Sequence, residues 1–165
     1  MARSRRFLAF VYECVVMPVF IRSLAENDRS AWRELWTDYL TFYDTKVSER
    51  VYETTFARHL GDDRNDLYGL VADTGGRLVG ITHYLFHRHA WTVENTCYLQ
   101  DLYVAPDARG SGVATHLIEA VYAEADAAKS PNVYWLTQTQ NKTARGLYDR
   151  IGSQTSFIKY ARPKR

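Results

Sequence analysis

Apolar positions along this chain follow two rhythms, one near 3.6 residues and one of 2, and their order predicts an α/β domain. After a short apolar run, Val19 to Ser23, either Asn27 or Asp28 can cap a helix with Trp32, Leu35, Trp36, Tyr39, Leu40 and Tyr43 on one face. A second helix is predicted from Glu49 to Leu60, with Ser48 as its cap and Gly61 as its stop. Strands follow at Leu67 to Ala72 and Arg77 to Phe86, joined by Asp73-Thr74-Gly75-Gly76, a loop of residues that tolerate positive φ. Thr96 to Val104 reads as another strand, ended by Pro106, and Ser111 to Ala128 as a long helix that turns Val113, Leu117, Ala120, Val121 and Ala125 inward. A strand from Asn132 to Thr137, a helix from Thr143 to Arg150 and a final strand from Gln154 to Tyr160 complete the pattern. A strand, helix, strand unit of this length predicts a right-handed crossover with its two strands parallel, and the rest of the sheet is expected to be antiparallel.

Composition narrows the class. With 165 residues, 46% of them hydrophobic, the chain has the size of one domain. The formal net charge of +2 makes a nucleic-acid partner unlikely without a local patch, and only the two termini are dense in Lys and Arg, as solvated ends often are. Cys14 and Cys97 form no spaced set, which fits a reduced, cytoplasmic protein and no metal site. The apolar stretch Phe7 to Ile21 is broken by Glu13 and lacks a small-residue cleavage site, so neither a signal peptide nor a membrane span is expected. The regular pattern begins at Pro18; residues 1 to 16 read as an N-terminal extension of uncertain origin, with Met17 as a candidate natural start, and 17 to 165 as the domain.

The strongest local signal is Arg109-Gly110-Ser111-Gly112-Val113-Ala114, set where a strand gives way to a helix. Glycines let a backbone approach a ligand, and a helix start presents unpaired N–H groups to an anion such as a pyrophosphate. The run lacks the lysine and hydroxyl of a triphosphate P-loop and the third glycine of a dinucleotide fingerprint. By itself a Gly-x-Gly before a helix is also ordinary turn chemistry.

Together with its surroundings this run resembles the GCN5-related N-acetyltransferase (GNAT) superfamily. Arg109, Gly112 and Ala114 stand at the defining positions of the family's acetyl-CoA loop, Gln100 to Pro106 is similar to its lead-in strand, and Asn141, Ala144, Leu147 and Tyr148 match its downstream element. Within the superfamily the chain is most similar to the small yeast histone and polyamine acetyltransferases and their bacterial relatives, through Trp36 to Tyr43, Gly80 to Tyr84 and Val133 to Trp135. The resemblance implies a mixed, mostly antiparallel sheet with a central splayed parallel strand pair, flanked by helices. It also implies transfer of acetyl from acetyl-CoA to a primary amine (of a polyamine, amino acid or protein lysine) by direct attack, and a homodimer. It places the cofactor against the main chain of Leu102, Tyr103 and Val104, the loop Arg109, Gly110, Ser111, Gly112, Val113 and Ala114, and Asn141 and Ala144.

Such chemistry needs a neutral amine, an oxyanion donor and a proton for the departing thiolate. Tyr148, protonated at neutral pH and by the family pattern near the thioester sulfur, is the candidate acid; a core tyrosine is the alternative. The base is open. Strand alternation puts Tyr98, Gln100 and Leu102 on one face and Cys97, Leu99, Asp101 and Tyr103 on the other. The related polyamine acetyltransferases carry a glutamate where this chain has Gln100, which takes no proton. Asp101 or Glu94 acting through water, or an amine arriving neutral, remain, and Asp101 is equally a candidate buried acceptor. His83, His87 and His89 sit near one strand end, with exposed histidines or substrate contact by His83 as readings. Cys97 packs as a small apolar residue or serves as a nucleophile, with nothing nearby to lower its pKa. Tyr39, Phe42 and Tyr43 are candidate walls of an acceptor pocket that suit a cationic amine. The missing glutamate also motivates a rival reading, a catalytically weak CoA-binding sensor or interaction module.

Overall fold

A computed structural model describes residues 18–61 and 67–163. The expectations for the N-terminal extension and Met17 lie outside the described residues. The first strand, β1 (Phe20–Ser23), is followed by a short 3-10 turn, Glu26–Asp28, and by helix α1 (Arg29–Phe42). Helix α2 (Glu49–Leu60) begins after Ser48, as predicted. Strands β2 (Tyr68–Asp73), β3 (Leu78–His87) and β4 (Thr96–Val104) then form a meander. Helix α3 (Val113–Ala127) crosses over to β5 (Asn132–Trp135), and helix α4 (Lys142–Ile151) follows.

The five strands lie in chain order in one sheet, antiparallel from β1 to β4 and parallel between β4 and β5. A parallel pair needs a long crossover, and α3 supplies it. The helix faces read from the sequence are those that are buried. Trp32, Leu35, Trp36 and Leu40 of α1, with Tyr52 and Phe56 of α2, pack on Val71, Ile81 and Tyr103 on one side of the sheet. Val113, Leu117, Ile118, Val121 and Ala125 of α3 pack on Leu70, Tyr84, Leu99 and Val104 on the other. That second contact is close because position 80 has no side chain: a Cβ on Gly80 would stand 3.0 Å from Leu117 Cδ1 and 3.1 Å from the Tyr103 carbonyl.

Two expectations are overturned. The final strand, Gln154 to Tyr160, does not form; the segment is irregular, with Phe157, Ile158 and Tyr160 exposed by 80%, 74% and 87%. Its alternation would need a neighbouring strand, and the described chain offers none on that side. β5 is therefore an edge strand.

Strand alternation is also interrupted. His83 of β3 pairs with Asp101, but the next residue, Tyr84, pairs with Leu99, so Gln100 is an extra residue in β4, a bulge. The bulge shifts the phase of the strand. Cys97 and Leu99 face α3, whereas Asp101 and Tyr103 face α1, contrary to the single alternation expected from the sequence.

No helix among the described residues is long and apolar enough to cross a membrane.

Candidate active site

The bulge at Gln100 coincides with the end of strand pairing. β4 and β5 are in register from Thr96 opposite Asn132 to Leu99 opposite Trp135, and no further. β4 continues to Val104 while the chain after Trp135 turns away, so the two parallel strands diverge at their carboxyl ends. Leu102, Tyr103 and Val104 line one arm of this opening, their β5 side left without a strand. In sheets with parallel strands, ligands enter at such carboxyl ends.

The glycine run stands at the same end. Gly110 and Gly112 have φ of 79° and 89°, a conformation that costs other residues about 1–2 kcal/mol. The first helical bond of α3 is from His116 N–H to the Gly112 carbonyl, so the N–H groups from Gly110 to Thr115 have no backbone acceptor. Bare N–H groups at a helix start, with the helix dipole behind them, are the chemistry that suits an anion. Ser111 turns its hydroxyl back to donate to the Ala108 carbonyl at 2.7 Å. Arg109 folds over the Tyr103 ring, and its Nε–H donates to the Val104 carbonyl at 2.9 Å, so its side chain braces the loop against β4. Val113 is buried in the core and Ala114 is half-buried.

The other lip is formed by α4. Asn141 caps this helix, its side-chain oxygen accepting from the Ala144 N–H at 3.4 Å and its side-chain NH2 donating to the Thr137 hydroxyl at 3.4 Å. Both motif residues thus have a structural task in shaping the lip. Tyr148 packs edge-on against Trp135, the last residue of β5, with ring centroids 5.4 Å apart. Burial pushes its pKa up to about 12, with Tyr43 adding to the rise, so the phenol is protonated across the physiological range.

Behind the opening, on the α1 and α2 side, lies a buried polar network. Asp101 Oδ2 accepts from His83 Nδ1–H at 2.9 Å and from the Trp36 indole N–H at 3.3 Å, and the Tyr39 hydroxyl stands close enough to influence the carboxylate. His83 Nε2 accepts from the Trp32 indole N–H at 2.8 Å. With Nε2 taken by the Trp32 indole, the other ring nitrogen, Nδ1, is the one that faces Asp101. Burial alone would raise the Asp101 pKa, but the hydrogen bond and charge interaction with His83, with Tyr39 and Trp36 beside it, outweigh burial and hold the carboxyl below its usual range. The same burial and the nearby Asp101 charge push the Tyr39 phenol far up.

A cavity of about 390 Å³ opens over this network, lined by Trp36, Val51, Thr55, Arg58, Leu67, His83, Leu85, Gln100 and Asp101. Its size is that of a small-molecule site. Because the bulge turns Gln100 and Asp101 toward the same space, Gln100 borders both the cavity and the point where β4 leaves β5. His83, Arg58 and Thr55 in this wall gave no periodic signal; His83 is fully buried and separate from His87, which contacts Tyr134, and from His89, which packs on Trp91. Cys97 is fully buried and its pKa is pushed up to about 12, which leaves an inert thiol. Glu94 is exposed in the loop before β4.

A strand pair splayed beside an anion-binding helix start, on this topology, has known counterparts. The sequence profile described as the Acetyltransferase (GNAT) family matches residues 29–152. The chain belongs to that family. It is 39% identical over 146 residues to the D-amino-acid N-acetyltransferase HPA3 of Saccharomyces cerevisiae, covering 87% of this chain and 90% of that one. Over 81 residues it is 38% identical to a mouse thialysine N-epsilon-acetyltransferase, 48% of this chain and 46% of that one. Among solved structures, aminoglycoside N-acetyltransferase AAC(6')-Iy in complex with CoA superposes with a TM-score of 0.77 at 17% identity, covering 89% of this chain and 95% of that one. Ribosomal-protein-alanine N-acetyltransferase from Brucella melitensis gives 0.71 at 23% identity, covering 89% and 100%. This GNAT chain is an acetyltransferase with the fold that its sequence resemblance implied.

Proposed function

We propose that this GNAT acetyltransferase moves acetyl from acetyl-CoA to the primary amine of a polyamine, an amino acid or a protein lysine, by direct attack. The observation that carries the reading is the divergence of β4 and β5 beside the bare N–H groups of Gly110 to Thr115. That geometry fits the cosubstrate. An extended arm can lie against Leu102, Tyr103 and Val104 where β5 is missing, with a pyrophosphate on the cradle formed by Arg109 to Ala114. Asn141 and Ala144 hold the opposite lip. The relative from Saccharomyces cerevisiae, named for acetylating D-amino acids, supports a small amine as acceptor.

The ammonium first releases one proton to solvent; the neutral amine nitrogen then attacks the thioester carbonyl carbon, the carbon–sulfur bond breaks, and the thiolate takes a proton from the Tyr148 hydroxyl. The second proton, lost from the acylated nitrogen, returns through water to the Tyr148 oxygen. Main-chain N–H groups of β4 beyond the bulge receive the oxyanion. Asp101 attracts and orients the ammonium without deprotonating it, because its donors keep it ionised.

A homodimer belongs to the same proposal. It is supported by the exposed apolar side chains of Phe157, Ile158 and Tyr160 and by the open edge of β5, which a partner's tail can cover. A reducing, cytoplasmic setting is supported by Cys97 being free and buried.

Thiol release from acetyl-CoA, with polyamines, D- and L-amino acids, aminoglycosides and histone peptides as acceptors, tests the reaction. Release that depends on one acceptor class is expected. Thermal stabilisation by CoA with no release for any acceptor would support the sensor reading instead.

A further inference from the structure

We infer that His116 is a binding residue for the acetyl donor, its ring N–H donating to a phosphate oxygen beside the turn from Gly110 to Thr115; this rests on the acetyl-CoA reading above. The argument begins with the side chains that the turn withholds. Arg109 has its Nε–H on the Val104 carbonyl at 2.9 Å and its guanidinium over the Tyr103 ring, so the basic residue of the motif lies against β4. Ser111 donates its hydroxyl proton to the Ala108 carbonyl. Val113 is buried in the core, and Ala114 has no polar side-chain atom.

In the first turn of α3, Thr115 then offers a hydroxyl and His116 an ionisable group. Side chains on a helix lean toward its N-terminus, so a residue one turn in covers the turn before it. The imidazole does so here: a Cβ on Gly112 would stand 3.8 Å from His116 Cε1. That atom is the carbon between the two ring nitrogens. The edge nearest Gly112 is therefore a donor edge in either tautomer, because Nδ1 and Nε2 both flank it. The residue is exposed, and neither nitrogen has a hydrogen-bond partner among the described residues. With glycine at 112 no side chain of the loop covers that edge.

A phosphate resting on main-chain N–H groups meets only partial charges, whereas an imidazole adds a side-chain donor and, once protonated, a full charge. The phosphate itself favours that charged form. Acetyl-CoA carries phosphate oxygens in its pyrophosphate and in its 3'-phosphate, and the chemistry of the contact is the same for both.

The test is a calorimetric titration of CoA, and of dephospho-CoA without the 3'-phosphate, into the natural protein, His116→Ala and His116→Lys. His116→Ala should weaken CoA binding about three- to tenfold, the scale of one net hydrogen bond. His116→Lys keeps a donor and a charge at that place and should bind within about twofold of the natural protein. The same loss with dephospho-CoA would assign the contact to the pyrophosphate, and a loss confined to CoA would assign it to the 3'-phosphate. An affinity unchanged by His116→Ala, or an equal weakening by Ala and Lys, would overturn the inference and leave the donor site standing. Absence of CoA binding to the natural protein would overturn both.

Discussion

The indole N–H of Trp32 points at Nε2 of His83, 2.8 Å away, and so fixes the orientation of a histidine buried between helix and sheet. Nδ1 of His83 then faces Asp101 and donates to it at 2.9 Å. The chain α1 to β3 to β4 thus fixes a carboxylate beneath the cavity, and two tryptophans read as core by their spacing also serve as donors.

Removing the indole donor should be expensive. Trp32→Phe leaves a buried imidazole nitrogen unpaired and a small void beside it, for a loss of roughly 2–4 kcal/mol in urea denaturation. A loss below about 0.5 kcal/mol would mean that His83 has another partner.

Tyr148→Phe should lower turnover roughly ten- to a thousandfold while CoA affinity is retained. With the phenol pKa raised to about 12, the acid form persists well above neutrality, so no alkaline loss of activity attributable to Tyr148 is expected between pH 7 and 10. Stopped-flow turnover together with calorimetric CoA titration checks both statements.

Gly112→Asp should abolish measurable CoA binding at concentrations that saturate the natural protein. The substitution forces a side chain into the αL position and sets a carboxylate at the anion cradle. Undiminished affinity, by the same titration, would remove the loop from the donor site.

Arg22 joins Asp28, at the start of α1, to Asp73, at the end of β2, with contacts of 2.6 and 2.9 Å. Hydrogen bonding to Arg22 is the largest influence on both carboxyls and holds both below their usual pKa. Depressed carboxyls stabilise the fold above their unfolded pKa of about 4 and lose that contribution as pH falls through their folded values. The stability gap between the natural protein and Arg22→Met should therefore be constant from pH 5 to 8 and narrow below about pH 4. A gap independent of pH in acid denaturation would assign the loss to packing instead.

Truncation after Gly152 should give a monomer in light scattering, if the tail covers the β5 edge of a second copy. A dimer that survives the truncation would place the interface elsewhere.

Most of the fold was legible because its signals are local. Ser48 and Gly61 frame α2, Gly75 and Gly76 mark the hairpin, and β4 has both ends where its alternation and Pro106 set them. The crossover followed from length alone. What escaped is set by non-local pairing. Nothing in Cys97 to Tyr103 announces that Gln100 will have no partner on β3, since a bulge depends on the register of the neighbouring strand. The stretch from Gln154 to Tyr160 alternates as a strand does, yet alternation requires a neighbour that the described residues do not supply. His83 was read as one of three strand-end histidines, and only the docking of α1 shows that it lies under two indoles. The glycine run and the Asn141 to Tyr148 element were visible as motif, and the cavity beside Asp101 was not, because its walls come from α1, α2, β3 and β4 with no shared spacing.

The extra residue in β4 has a consequence for how such an enzyme can change. Gln100 marks a seam: downstream of it lies the part of the strand that the proposed function gives to the acetyl donor, and Asp101, beside it, forms the floor of the proposed acceptor chamber, whose remaining walls belong mostly to α1 and α2. The two halves meet at one residue. On the proposed function, substitutions on the two helices can therefore exchange one amine for another while a donor grip built from β4, α3 and α4 is inherited intact.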